Sequence, residues 1–188
     1  MTPEHVVVVP SALVLLPEYA GLDDPVPELR RVVRGAVTWL VERHPDEVAV
    51  LSAGARADNV ARGVTEPVGA RIGRNLLSEH GFIGRFVESA AGVLVVANGT
   101  ACRGEKAPGH LDERSFGYDD EIEEALRSGS PKVLRDLDTA LGEELWAHDV
   151  AALKALGELV HGSVSSALDY AADPHGVKYW VARWTCAS

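Results

Sequence analysis

His5-Val6-Val7-Val8-Val9-Pro10 decides how the rest of the chain is read. A continuous run of β-branched residues fits a strand buried on both faces, not the alternating pattern of a half-exposed one. Pro10 stops it. Two later runs repeat the pattern: residues 48–53, which lead into Gly54, and residues 92–97, Gly-Val-Leu-Val-Val-Ala. Helical patterns separate them. In residues 25–43, Leu29, Val32, Val33, Ala36, Val37 and Leu40 recur at a 3.6-residue spacing; Pro27 suits the first turn and Pro45 ends the helix. Residues 72–80 form a second helix, closed by Gly81. Strands that are apolar throughout and alternate with helices predict an α/β fold, with a central, mostly parallel sheet and flanking helices.

The second half changes character. Residues 98–117 are polar, rich in Gly and Pro and without periodicity, so they read as one long loop; a loop of that length in a compact domain is usually functional. Helices follow over 118–128, 131–137 and 141–160. Two strand-like runs, 164–171 and 177–184, flank Asp173-Pro174-His175-Gly176, which is turn chemistry. A C-terminal β-hairpin at the sheet edge is expected. Tyr179, Trp180 and Trp184 in it have two readings: core, or an edge interface in a homo-oligomer.

The whole chain of 188 residues reads as a single domain (1–188), large enough to bury a core unaided. It carries 18 Lys and Arg against 28 Asp and Glu, a net charge of −10. That balance speaks against nucleic acid or an anionic membrane as a partner. Only two cysteines occur, Cys102 and Cys186, in no CxxC spacing, as in a reduced cytoplasmic protein. Residues 6–16 are nearly all apolar, but Glu4 stands where a signal peptide would carry Lys or Arg, and the stretch is too short to span a bilayer.

If the three strands are parallel, the loops that follow them share one edge of the sheet, where ligands of α/β folds bind. GxSxG, GxGxxG and GxxxxGK[ST] are all missing from the sequence. Ser52-Ala53-Gly54-Ala55-Arg56 offers backbone N–H groups to an anion, although a single glycine more often just permits a tight turn. The seven histidines show no HxH, HxxxH or HExxH spacing, so no pair is preset as metal ligands. His44 and His80 suit helix C-termini, and His148 and His161 lie on or after a helix; all four read as structural. His110 and His175 lie in loops that reach the same edge. In the third loop Arg103 and Lys106, beside Glu105, Thr100 and Cys102, form either a solvated surface or a cleft wall that attracts a small anion. Basic neighbours would lower the Cys102 pKa. The cleft candidates are therefore Ser11, Gly54, Arg56, Asn98, Thr100, Cys102, Arg103, Lys106, His110 and His175.

The stretch VLVVANGTACRGEKAPGHLDERSFGYDDEIEEAL (93–126) resembles the LigB superfamily of class III extradiol ring-cleavage dioxygenases, and in particular its short actinobacterial branch. The opening VVPSALVLLPEYAG and the closing DPHGVKYWVARW are similar to the two ends of the same proteins. The resemblance implies a LigB-like α/β fold and a ferrous site of two histidines and one carboxylate. The family's first histidine ligand follows a proline after the first strand; Ser11 stands there. Its second falls at Ser52-Ala53-Gly54-Ala55, and its acid–base histidine at Thr100-Ala101-Cys102. No Glu follows Glu158, which leaves Asp169 and Asp173 near the last strands. The expectation is thus a LigB-like protein without the usual Fe(II) ligands, with no catalytic or metal residue assigned and no cofactor. It would act as a partner protein in a complex or bind a small aromatic or anionic molecule. The alternative is an active, Fe(II)-dependent extradiol dioxygenase with a rearranged site drawn from His110, His175, Cys102 or Asp173. A third reading is a hydrolase-like enzyme using Cys102.

Overall fold

The computed structural model describes residues 2–19, 21 and 23–187. Its centre is a six-stranded sheet built from β1 (His5–Val9), β2 (Glu47–Ser52), β3 (Arg85–Val87), β4 (Gly92–Val96), β5 (Val164–Ala172) and β6 (Tyr179–Cys186). The strand order is β3-β2-β4-β1-β6-β5. The first four strands in that order run parallel, while β6 pairs antiparallel with β1 and β5 antiparallel with β6. The fold is therefore α/β, with a mostly parallel sheet, flanking helices and a C-terminal hairpin.

The β-branched strands are buried because both faces of the sheet are covered. Alternation within β1 sends Val7 and Val9 to one side and Val6 and Val8 to the other. On the first side they meet α1 (Pro27–Arg43) and α3 (Val68–Glu79), through Leu29, Val33, Leu40, Ile72 and Leu77. On the second they meet α4 (Arg114–Ser128), α5 (Pro131–Arg135) and α7 (Val150–Leu159), through Ile122, Leu126, Leu134, Leu153 and Leu156. α3 lies unusually close to the sheet: a Cβ added at Gly73 would stand 2.7 Å from Val50 Cγ1.

Several expectations change. The long loop ends earlier, because α4 starts at Arg114, not Tyr118. The single helix over 141–160 is two: α6 (Thr139–Glu144) and α7, broken where Trp146 takes a positive φ of 60°. Helix α2 (Ala57–Ala61) and the three-residue β3 have no counterpart in the sequence pattern. The hairpin does lie at the margin of the sheet, but only β5 is an edge strand. β6 is interior, and Trp180 and Trp184 are fully buried core, so neither forms an exposed interface. Trp184 Nε1 donates to the Leu126 carbonyl at 2.9 Å, tying β6 to α4. Pairing of β5 with β6 slips between Leu168 and Tyr170, which leaves Asp169 without a partner in the ladder; its carboxylate binds Arg183 at 2.6 Å. Among the described residues, no helix is long and apolar enough to cross a membrane.

Candidate functional site: a cleft at the carboxyl edge of the parallel strands

β1, β2 and β4 point the same way, so the segments that follow them do emerge at one edge. There they enclose two adjoining depressions that share Ser11, Leu13, His148 and Asp149. The larger, about 440 Å³, has an apolar and aromatic wall of Val14, Val26, Trp146, Val177 and Tyr179. The smaller, about 230 Å³, is floored by residues 53–56 after β2. Together they form one cleft in which a few polar groups converge on apolar walls, the usual make-up of a small-molecule site.

Asp149 is the most unusual of those polar groups. It occupies the N-cap position of α7, where an aspartate normally accepts bonds from the first helical N–H groups, yet its side chain makes no capping bond. It turns toward the cleft instead. Burial pushes its carboxyl up to about 6; the Ser11 hydroxyl, His148 and Arg56 pull the other way. A carboxyl in that range both donates and accepts protons near neutral pH. His148 beside it is held through Nδ1 by Glu143 Oε2 at 2.8 Å. Asn98 lines the cleft too: its Nδ2 donates to the Ser11 carbonyl at 3.0 Å, while Asn98 Oδ1 is buried without a hydrogen-bond partner among the described residues.

Of the residues singled out from the sequence, Ser11, Gly54, Arg56, Asn98 and His175 line this cleft. Thr100, Cys102 and Arg103 do not; they turn inward. Fully buried Thr100 gives its hydroxyl to Asp119 Oδ2 at 2.7 Å and its N–H to Asp119 Oδ1 at 2.9 Å. Arg103 donates to Asp119 at 3.1 Å and to Asp173 at 2.7 Å, and stacks over Phe116. Burial pushes the Asp119 carboxyl up, and the bonds from Thr100 and Arg103 pull the other way. Arg103 is thus no free anion-binding cation but a clamp that ties the 97–113 segment to α4 and to the hairpin turn. Lys106 is exposed and lies with Arg103 and His175 on a separate outer depression. His110 is exposed, with φ of 59°, and lines neither part of the cleft.

Cys102 reverses the expectation placed on it. Its thiol is buried 3.6 Å from the Gly109 carbonyl. Burial, and then Asp112 and Asp119, push its pKa up, so the basic neighbours do not produce a thiolate.

His148 and Asp149 are the residues that sequence reasoning misses. The only available signal is Asp149 standing directly before the apolar run of a helix, an N-cap placement. Nothing local indicates that the side chain declines to cap.

No family model matches the chain, and no curated protein matches it. The cleft has therefore to be judged on its donor set. A ferrous centre of the kind implied by the LigB resemblance needs two imidazoles and a carboxylate within reach of one ion. Among the described residues, His148, His175 and Asp149 line the cleft but do not bring three ligand atoms within 4.8 Å of one another. Ser11, at the first ligand position, offers only a hydroxyl. The residues present do not fit that centre.

Proposed function

We propose that this chain is a LigB-like domain in which the cleft of a ring-cleavage dioxygenase has become a binding site for a small phenolic or aromatic acid, without iron. The observation that carries the reading is Asp149, uncapped, desolvated and next to the Ser11 hydroxyl in a cleft with an aromatic wall. A carboxyl near pH 6 pairs well with a phenolic hydroxyl, which it can meet as acceptor or donor. Asn98 Oδ1 offers a second acceptor. Arg56 is exposed at the rim, suited to a ligand carboxylate. Trp146 and Tyr179 give the ring a surface to pack on.

The alternative with a rearranged iron site has less support. It draws on Cys102, which is buried against Gly109, on Asp173, which is engaged by Arg103, and on His110, which lies off the cleft.

The test is calorimetric titration of chelator-treated protein with catechol, 3,4-dihydroxybenzoate and 4-hydroxybenzoate. Saturable one-site binding that weakens in Asp149→Asn and Asn98→Ala is the expected result. Absence of saturable binding for all three would refute the proposal. So would O₂ consumption by the protein with added Fe(II) and catechol, which would establish the ring-cleavage alternative.

A further inference from the structure

The opposite edge of the sheet, where the parallel strands begin, carries a second cluster unrelated to the cleft. Among the described residues, only Glu4, His5 and His44 form a group of three His, Cys, Asp or Glu side chains whose ligand atoms all lie within 4.8 Å of one another. We infer that these three residues bind one divalent transition-metal ion of the zinc type.

The geometry of the two imidazoles carries the inference. His5 Nδ1 and His44 Nε2 are 3.0 Å apart. Two nitrogens bound to one ion at about 2.0–2.1 Å, with angles of roughly 90–109°, stand roughly 2.9–3.4 Å apart. The pair thus already has the spacing of adjacent ligands, and the Glu4 carboxylate supplies an oxygen on the same side. Glu4 is exposed, so its side chain can close the remaining distance.

The scaffold holds these groups firmly. The Glu4 and His5 N–H groups both donate to the Ala91 carbonyl, at 2.8 and 3.0 Å, and the Cys186 N–H donates to the Glu4 carbonyl at 2.8 Å. The Glu4–His5 backbone is therefore fixed between two neighbouring strands. The His5 ring meets the edge of Trp39 at 5.1 Å, and Arg43 stacks over Trp39 at 4.4 Å. His44 caps the end of α1, its N–H bonded to the Leu40 carbonyl, and Pro45 follows. Its ring lies directly over Gly92, where an added Cβ would come within 2.6 Å of two ring carbons. Glycine at that point of β4 is what makes room for the imidazole.

The chemistry agrees. An imidazole nitrogen with a free lone pair is the commonest ligand of such ions. Two imidazoles and one carboxylate select a borderline transition metal over Mg²⁺ or Ca²⁺, which prefer all-oxygen shells. His44 also borders an open depression of about 470 Å³ with Asp46 and Glu47, a route for the ion and for the waters that complete its coordination.

The experiment uses full-length, tag-free protein stripped with chelator and titrated with Zn²⁺ by calorimetry and by imidazole ¹H–¹⁵N spectra. One Zn²⁺ per chain is expected, with the His5 and His44 ring resonances shifting together. His44→Gln and His5→Gln should each weaken binding by roughly tenfold or more, and Glu4→Gln by less, while His148→Gln leaves it unchanged. The spectra of the wild-type protein decide the matter even if a variant fails to fold. Zn²⁺ binding that leaves the His5 and His44 resonances in place, or no stoichiometric binding, would mean that the pair is only a hydrogen bond between two neutral imidazoles and would overturn the inference.

Discussion

Replacing Asp149 with Asn should make the protein more stable at neutral pH while impairing the cleft. A carboxyl that titrates at about 6 in the folded chain, against an ordinary value of 3.8, binds its proton more tightly folded than unfolded. Stability then falls as pH rises from about 4 to about 6, and stays lower by a constant amount above that window. The full penalty for the ionised group is about 3 kcal/mol. Two features reduce it. Asp149 is partly open to the cleft, and the α7 N-terminus favours a negative charge by about 0.3–1 kcal/mol. About 1–2 kcal/mol remains. Asparagine keeps the shape and loses the charge, so the variant should gain that amount at pH 7.5. For a chain of this size, that is roughly 2–8 °C in Tm. The assay is urea unfolding of wild type and variant, followed by tryptophan fluorescence, at several pH values from 4 to 8. The two curves should converge near pH 4 and separate through pH 6. A variant equally or less stable at pH 7.5, or a difference independent of pH, would refute the assignment of Asp149 as a desolvated carboxyl strained for the sake of the cleft.

Other perturbations test the frame around it. Arg103→Ala removes a nearly buried cation from fully buried Asp119 and should cost about 3–5 kcal/mol in denaturant unfolding; a loss below about 1 kcal/mol would show the clamp to be ornamental. Gly73→Ala drives a methyl group against Val50 and should destabilise by about 1–3 kcal/mol, measured as a lower urea midpoint at unchanged slope. Cys102 should resist iodoacetamide at pH 7.5 in the native protein and react at an ordinary rate once unfolded, as followed by mass spectrometry. Trp184→Phe keeps an aromatic ring and removes the indole bond to the Leu126 carbonyl, which retains its bond from the Ser166 hydroxyl, so a loss of about 0.5–1 kcal/mol is expected in the same unfolding assay.

The parts of the fold legible in the sequence are those fixed by local pattern. Val6 to Val9 and Val93 to Val96 are apolar without interruption because helices cover both faces of their strands, and that coverage leaves a direct mark on composition. From three such strands the shared edge and its loops follow. What escapes is set by partners distant along the chain. Arg103 and Thr100 turn inward because Asp119 waits 16 and 19 residues later, in a helix whose position the sequence does not reveal. β3 is a strand only because Glu47, Val48 and Ala49 pair with its three residues. The break at Trp146 lies inside a stretch whose apolar periodicity runs on past it, so α6 and α7 read as one helix. Asp149 is hidden for the same reason: its significance rests on the burial and neighbours it acquires only after folding.

The slip in pairing at Asp169 has a consequence for how copies of this chain behave when crowded. An open sheet invites a second molecule to add its strands, and the long β5 would be the natural place to start. Asp169, left over in the ladder and held by Arg183, bends that margin and interrupts the row of free backbone groups. At the other margin β3 is only three residues long and carries Arg85, paired with Glu47. Both flanks of the sheet are blunted, so each offers a second strand a poorer template than a long, flat edge would.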